Sequence, residues 1–294
     1  MEADAGGVRE PGAIDWSRVR AATYRIEQRF RYEYPGPIRD LRQRLVLAPP
    51  RAHGAQRRLG HRLSVSVAGR RHAQTDGFGN VVAQIELPRV ERAVDFTFQA
   101  LVRREADGAP HTVDAALLLD PRLTAPRRLT RPDEALLDAA ADLRAIHPNP
   151  ADLADAISRF VHRRIVYTKG VSDVFTTAAT AFAMGRGVCQ DYAHVMLALA
   201  RACGLPARYV SGHLLGEGAT HAWVEVLVRR RDGSVVVLAF DPTHDTPATV
   251  RHVVVAVGRD YEDVAPVSGT FDAPYPGVLR ARHRVDVIGL IEAA

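Results

Sequence analysis

The sequence predicts an α+β protein: an N-terminal antiparallel β domain followed by a core that mixes helices with strands. Three observations predict it. Runs with period-two alternation recur at roughly 10 to 15 residue spacing from Ala22 to about Leu119. Helical periodicity takes over near Pro121. The clearest helical stripe in the chain then runs straight into three further alternating segments.

Taken in order, the 294 residues divide into a disordered arm (1–20), a β domain (21–120), a core (121–265) and a C-terminal extension with a terminal strand (266–294). In the β domain, Thr23–Tyr34 alternates loosely through Tyr24, Ile26, Phe30 and Tyr32 and stops at Pro35-Gly36-Pro37. Arg39–Ala48 alternates leucine with arginine and closes at Pro49-Pro50. His61–Val67, Val81–Leu87 after the turn Asp76–Asn80, and Ala93–Val102 continue the pattern. Asp133–Arg144 and Ala151–Arg164 then read as helices, the second opened by Asn149-Pro150 with Leu153, Ile157, Phe160 and Val161 on one face. A looser stretch, Tyr167–Met184, leads to Gly185-Arg186-Gly187-Val188-Cys189. Beyond it, Tyr192, Val195, Met196, Leu199 and Cys203 share one helical face until Gly204 and Pro206 end the helix. Strands are expected at Ala207–Leu214, His221–Val228, Val235–Phe240, Thr249–Val257 and Arg282–Ile291.

Composition narrows the function. The net charge of +5 does not point to nucleic acid: Lys169 is the one lysine among 39 basic residues, and the arginine pairs are scattered without interleaved aromatics. Such arginine and alanine use fits a GC-rich coding bias. No apolar run reaches the roughly 18 to 20 residues of a membrane span. The acidic, Gly-rich start does not resemble a signal peptide, so a cytoplasmic protein is expected. The two cysteines, Cys189 and Cys203, stand 14 residues apart. On one helix that is about 21 Å, far beyond the roughly 7 Å a disulfide allows.

Cys189 marks the turn from a glycine-bearing loop into a helix. Free N–H groups and the positive end of the helix dipole stabilise a thiolate there. Cys203 continues the apolar stripe and belongs to the core. A thiolate nucleophile needs a histidine. His194 is nearest in sequence, but five residues along a helix turn it about 140° away. His221 opens a strand whose apolar face is Ala222, Val224, Val226 and Val228, which leaves His221, Trp223 and Glu225 on the other face. The turn Asp232-Gly233 folds the next strand back on it. A two-residue turn sets His221 opposite His244; a longer loop centred on Arg231 sets it opposite Asp241, the carboxylate that can hold the imidazole tautomer. Together these are a nucleophile, a base and an orienting acid.

Four motifs carry a family resemblance: Gly187-Val188-Cys189-Gln190-Asp191-Tyr192-Ala193-His194, Gly204-Leu205-Pro206-Ala207-Arg208-Tyr209-Val210-Ser211-Gly212, His221-Ala222-Trp223-Val224-Glu225-Val226 and Phe240-Asp241-Pro242-Thr243. In order and spacing they resemble the transglutaminase-like superfamily, in its bacterial cysteine peptidase branch with an N-terminal β domain. The segment from Val257 to Pro266 is similar to that branch as well. The resemblance implies a papain-like core, a helix bearing cysteine on an antiparallel sheet, and a Cys-His-Asp triad at Cys189, His221 and Asp241. It implies a peptide hydrolase or amidase acting through a thioester, with a peptide or amide-containing substrate and a functional link to peptide-ligase systems. The alternatives are a protein-glutamine transglutaminase and a non-catalytic peptide-binding module with a vestigial triad.

The Cys189 N–H is one expected oxyanion donor; Tyr167 and Gln190 are candidates for the second, and Trp223 for a wall of the substrate groove. Asp191 suits the favourable charge position of a helix N-terminus. No cofactor is expected. Two distant cysteines and no paired-histidine helix motif offer no coherent metal-ligand set.

Overall fold

Alternating side chains can bury only one face of a strand, so the N-terminal runs need a second sheet to cover them. The computed structural model describes residues 11–106 and 111–293, so the first ten residues of the expected arm lie outside the described residues. Of the rest of that arm, Pro11–Ala13 forms a helical turn, and Val19 already opens a strand.

Two antiparallel sheets face each other. One orders Val278–Glu292, Val19–Glu33, Ala93–Glu105, Gln56–Val65 and Ala52–His53; the other orders Val267–Asp272, Ile38–Ala48, Val81–Val90 and Arg70–Thr75. Tyr24, Ile26, Phe96 and Phe98 from the first sheet meet Leu41, Leu45, Ile85 and Leu87 from the second, all fully buried. Each such side chain contributes roughly 1.5–3 kcal/mol. The last strand pairs along nearly the whole length of Val19–Glu33, so the C-terminal extension completes the N-terminal sandwich.

The core is a third antiparallel sheet with helices on one face. Its order is Thr246–Pro247, Val235–Asp241, His221–Arg229, Ala207–Leu214 and His252–Gly258. Helix Cys189–Ala202 lies on it, against Ala222, Val224 and Val226. Helices Glu134–Ile146, Pro150–Arg164 and Ala178–Met184 cover the helix from the other side. The apolar stripe predicts one buried face; every residue from Gln190 to Arg201 is buried, because this helix is enclosed between sheet and helices.

The edge strand His252–Gly258 is sealed by side chains of the sandwich. Gln56 donates to the Val254 carbonyl (2.8 Å) and accepts from the Val254 N–H (2.8 Å). Asn80 does the same at Val257 (2.7 and 2.8 Å). Two amides thus imitate a neighbouring strand and satisfy an edge that would otherwise recruit another chain.

Candidate active site

The loop ahead of Cys189 is held before the helix begins. Val166–Tyr167 pairs in parallel with Arg186–Gly187. The Asp191 carboxylate accepts from the Val188 N–H (2.7 Å) and from the Ser172 hydroxyl (2.6 Å), and the Tyr192 hydroxyl donates to the Ile165 carbonyl (2.6 Å). Asp191 therefore clamps the loop, a stronger role than a favourable charge alone. Val188 caps the helix, and its carbonyl takes the Tyr192 N–H (3.2 Å), so the Cys189 and Gln190 N–H groups lie in the unpaired first turn. Cys189 is half-buried; Cys203 is buried and donates its thiol to the Ala140 carbonyl (3.3 Å).

His221 stands at the mouth of its strand, directly paired with Gly212. A side chain on Gly212 would collide with the Trp223 indole and the Val253 carbonyl, so glycine lets the indole settle there. Trp223 is 1% exposed and lies against the His221 ring (6.2 Å between centroids, 28° between planes). It packs against the histidine and also lines a cavity shared with His53, Glu225 and Ala248.

The hairpin register differs from both sequence alternatives. Arg229 pairs with Val235 and Val224 with Phe240, around a three-residue loop closed by Gly233 at φ 85°. Continued, that register sets His221 across from Thr243. Asp241 is the diagonal neighbour on the same face, which is why the carboxylate still reaches: His221 Nε2 is 2.8 Å from Asp241 Oδ2. The Cys189 thiol lies close enough to the same imidazole to help raise its pKa. The structure therefore brings Cys189, His221 and Asp241 together. His194 is fully buried elsewhere and accepts the Tyr261 N–H (3.3 Å).

Three further residues crowd the same point. His252 Nδ1 accepts the Thr249 N–H (2.9 Å), which leaves its Nε2–H to donate to Asp241 Oδ2 (3.1 Å). His244 Nδ1 is 2.9 Å from the same oxygen. Glu217 places one oxygen 3.2 Å from His221 Nδ1 and the other 3.2 Å from His244 Nε2. Burial alone would pull the His221 pKa down, but Asp241, Cys189 and Glu217 outweigh it and raise it strongly. Burial likewise opposes the Asp241 charge, yet hydrogen bonds from His221 and His252 hold that carboxyl far below its usual range. Sequence reasoning weighed His244 only as a rival for the Asp241 position and missed Glu217 and His252. The one signal for Glu217 was an acid on a glycine-flanked turn four residues before His221.

The other candidates are split. Tyr167 is half-exposed, and its pKa is raised by burial and then by the nearby Cys189 charge. The Gln190 side chain reaches toward the Asp173 carbonyl (3.4 Å), which leaves its backbone N–H beside that of Cys189. Metal ligands are better represented than the sequence implies. His221, Asp241 and His244, and separately His53, His111 and Glu225, could each present three ligand atoms within 4.8 Å of one another. In the second set Glu225 is already matched by Arg208 (2.6 Å) and His53 (2.7 Å).

A helix bearing a half-buried cysteine, set on a sheet bearing histidine and aspartate, defines a thiol-dependent class of fold. Residues 138–237 match the transglutaminase-like superfamily, and residues 24–103 match the bacterial transglutaminase-like N-terminal region. The protein belongs to the transglutaminase-like superfamily, among its members with that N-terminal region. An uncharacterised protein of Mycobacterium tuberculosis is 28% identical over 279 residues, covering 84% of this chain and 86% of its own length. One from Mycobacterium leprae is 28% identical over 261 residues, covering 82% and 89%. The crystal structure of a candidate cysteine protease from Cytophaga hutchinsonii superposes with a TM-score of 0.75 at 20% identity, over 92% of both chains. Among the described residues, no helix is long and apolar enough to cross a membrane.

Proposed function

We propose that the protein is a cytoplasmic cysteine-dependent peptide hydrolase or amidase that cleaves an amide bond through a thioester. The observation that carries this reading is a single buried imidazole, His221, held 2.8 Å from the Asp241 carboxylate with the Cys189 thiol beside it. Asp241 keeps the ring oriented and stabilises its protonated form. His221 Nδ1 takes the thiol proton, and the Cys189 sulfur attacks the amide carbonyl. The Cys189 N–H receives the oxyanion, with the Gln190 N–H or the Tyr167 hydroxyl beside it. The C–N bond then breaks as His221 returns its proton to the departing amine. Water, deprotonated by the same ring, hydrolyses the thioester and restores the thiol.

Incubation with a defined peptide mixture followed by intact-mass spectrometry tests this directly. An acyl adduct on Cys189 that is absent from Cys189→Ala is the expected result. Turnover that survives in Cys189→Ala would remove the assignment.

A further inference from the structure

The contacts around His221 close into a ring. Asp241 touches His221 Nε2 and His244 Nδ1 through one oxygen, at 2.8 and 2.9 Å, and Glu217 bridges the two remaining nitrogens at 3.2 Å each. Two carboxylates and two imidazoles alternate. Asp241 alone matches a protonated His221, so Glu217 adds a negative charge that the triad chemistry does not use. That carboxylate is 37% exposed and the His244 ring 41%, so the surplus charge faces the open side of the site. It also sits on the nitrogen that exchanges protons with the sulfur and hands one to the departing amine. Glu217 therefore flanks the leaving-group side.

We propose that Glu217 is the specificity residue for that side, selecting substrates with a cationic group (an α-ammonium, a lysine or an arginine) next to the scissile amide. The assignment rests on the acyl-transfer reading above. In the free protein the carboxylate rests on His221 Nδ1. A substrate cation pairs with it and can draw it toward the leaving-group side. Its carrier permits the movement. Glu217 lies between Gly216, at φ 97°, and Gly218, around whose missing side chain there is open space. Arg251 steadies the root of the turn by donating to the Leu215 carbonyl (3.0 Å), and His244 keeps the carboxylate within reach of the site. An anionic group in the same place would meet the half-exposed Glu217 carboxylate.

Charged thiol reagents read this field without any knowledge of the natural substrate. Methanethiosulfonates carrying aminoethyl, sulfonatoethyl or methyl groups react with the Cys189 thiolate, forming a mixed disulfide and releasing methanesulfinate. In the wild type the cationic reagent should react faster than the anionic one. Because one carboxylate acts on the two reagents with opposite sign, Glu217→Gln should lower their rate ratio by about tenfold, while Glu217→Asp should retain it. A ratio in Glu217→Gln within twofold of the wild type would overturn the proposal, as would a loss of ratio in Glu217→Asp equal to that in Glu217→Gln. Failure of the underlying reading looks different: Cys189 would then react with all three reagents as slowly as buried Cys203.

Discussion

The helix Cys189–Ala202 carries a cysteine at each end, and the two ends have been built for opposite purposes. At the N-terminal end the backbone N–H groups are unpaired, the sulfur is half-buried, and imidazole and carboxylate groups converge on it. At the C-terminal end Cys203 is 6% exposed, and burial raises its thiol pKa. Beside it Arg201, buried at 7% exposure, donates to the carbonyls of Leu123, Ala207 and Arg259 and to the Thr130 hydroxyl. One end is left open to chemistry and the other is stapled shut. The same side chain has two fates because the surroundings differ, not the thiol.

The comparison breaks most visibly under substitution. Cys189→Ser should lower turnover of a cleavable peptide by at least ~10⁵-fold, while Cys203→Ser should leave the rate within about twofold and appear as a lower melting temperature. A comparable loss of turnover from both variants would erase the contrast. Arg201→Ala should act on stability alone, costing about 3–5 kcal/mol in denaturant unfolding, because it strands buried carbonyls. Iodoacetamide at neutral pH should modify Cys189 about 100-fold faster than Cys203, followed by peptide mapping; equal slow labelling would argue against an activated thiolate.

The smallest effect is electrostatic. Asp241, lowered from 3.8, contributes stability present in full above that value and lost as the pH falls through its lowered pKa. His221, raised from 6.5, contributes stability present in full below 6.5 and lost as the pH climbs toward its raised pKa. Both shares are complete only between those two values. The melting-temperature gap between wild type and Asp241→Asn should therefore be widest near about pH 5.5 and shrink toward pH 9 or so. A gap that widens on the alkaline side would mean that the pair is not ionised as described.

Much of this could be read from the residues, for physical reasons that also explain the omissions. Ala207–Leu214 and His221–Arg229 were legible because alternation or continuous apolar runs lie between turn residues. Arg70–Thr75 was not, since every residue in it is exposed and no buried face imposes a pattern. Helix Ala178–Met184 spans seven residues, too few for a period to stand out. In the site, the observed register differs by two residues from the longer-loop alternative and so keeps its parity, which leaves His221 and Asp241 on one face; the two-residue turn would have set them on opposite faces. Glu217 and His252 were hidden for another reason. One stands on an irregular turn and the other at the start of an edge strand placed by Gln56 and Asn80, side chains from a different sheet. Long-range docking leaves no local trace in the sequence.

The pairing of Val278–Glu292 with Val19–Glu33 has a consequence for biogenesis. As the chain leaves the ribosome, Val19–Glu33 emerges early and must wait for most of the protein to be translated before that flank is covered. Closing so long a loop is slow, and during the wait an unpaired hydrophobic ribbon is open to the cytosol. Nascent chains should therefore lean on holding factors more than the finished fold would indicate, and stalling before residue 278 should yield aggregates in place of a soluble intermediate.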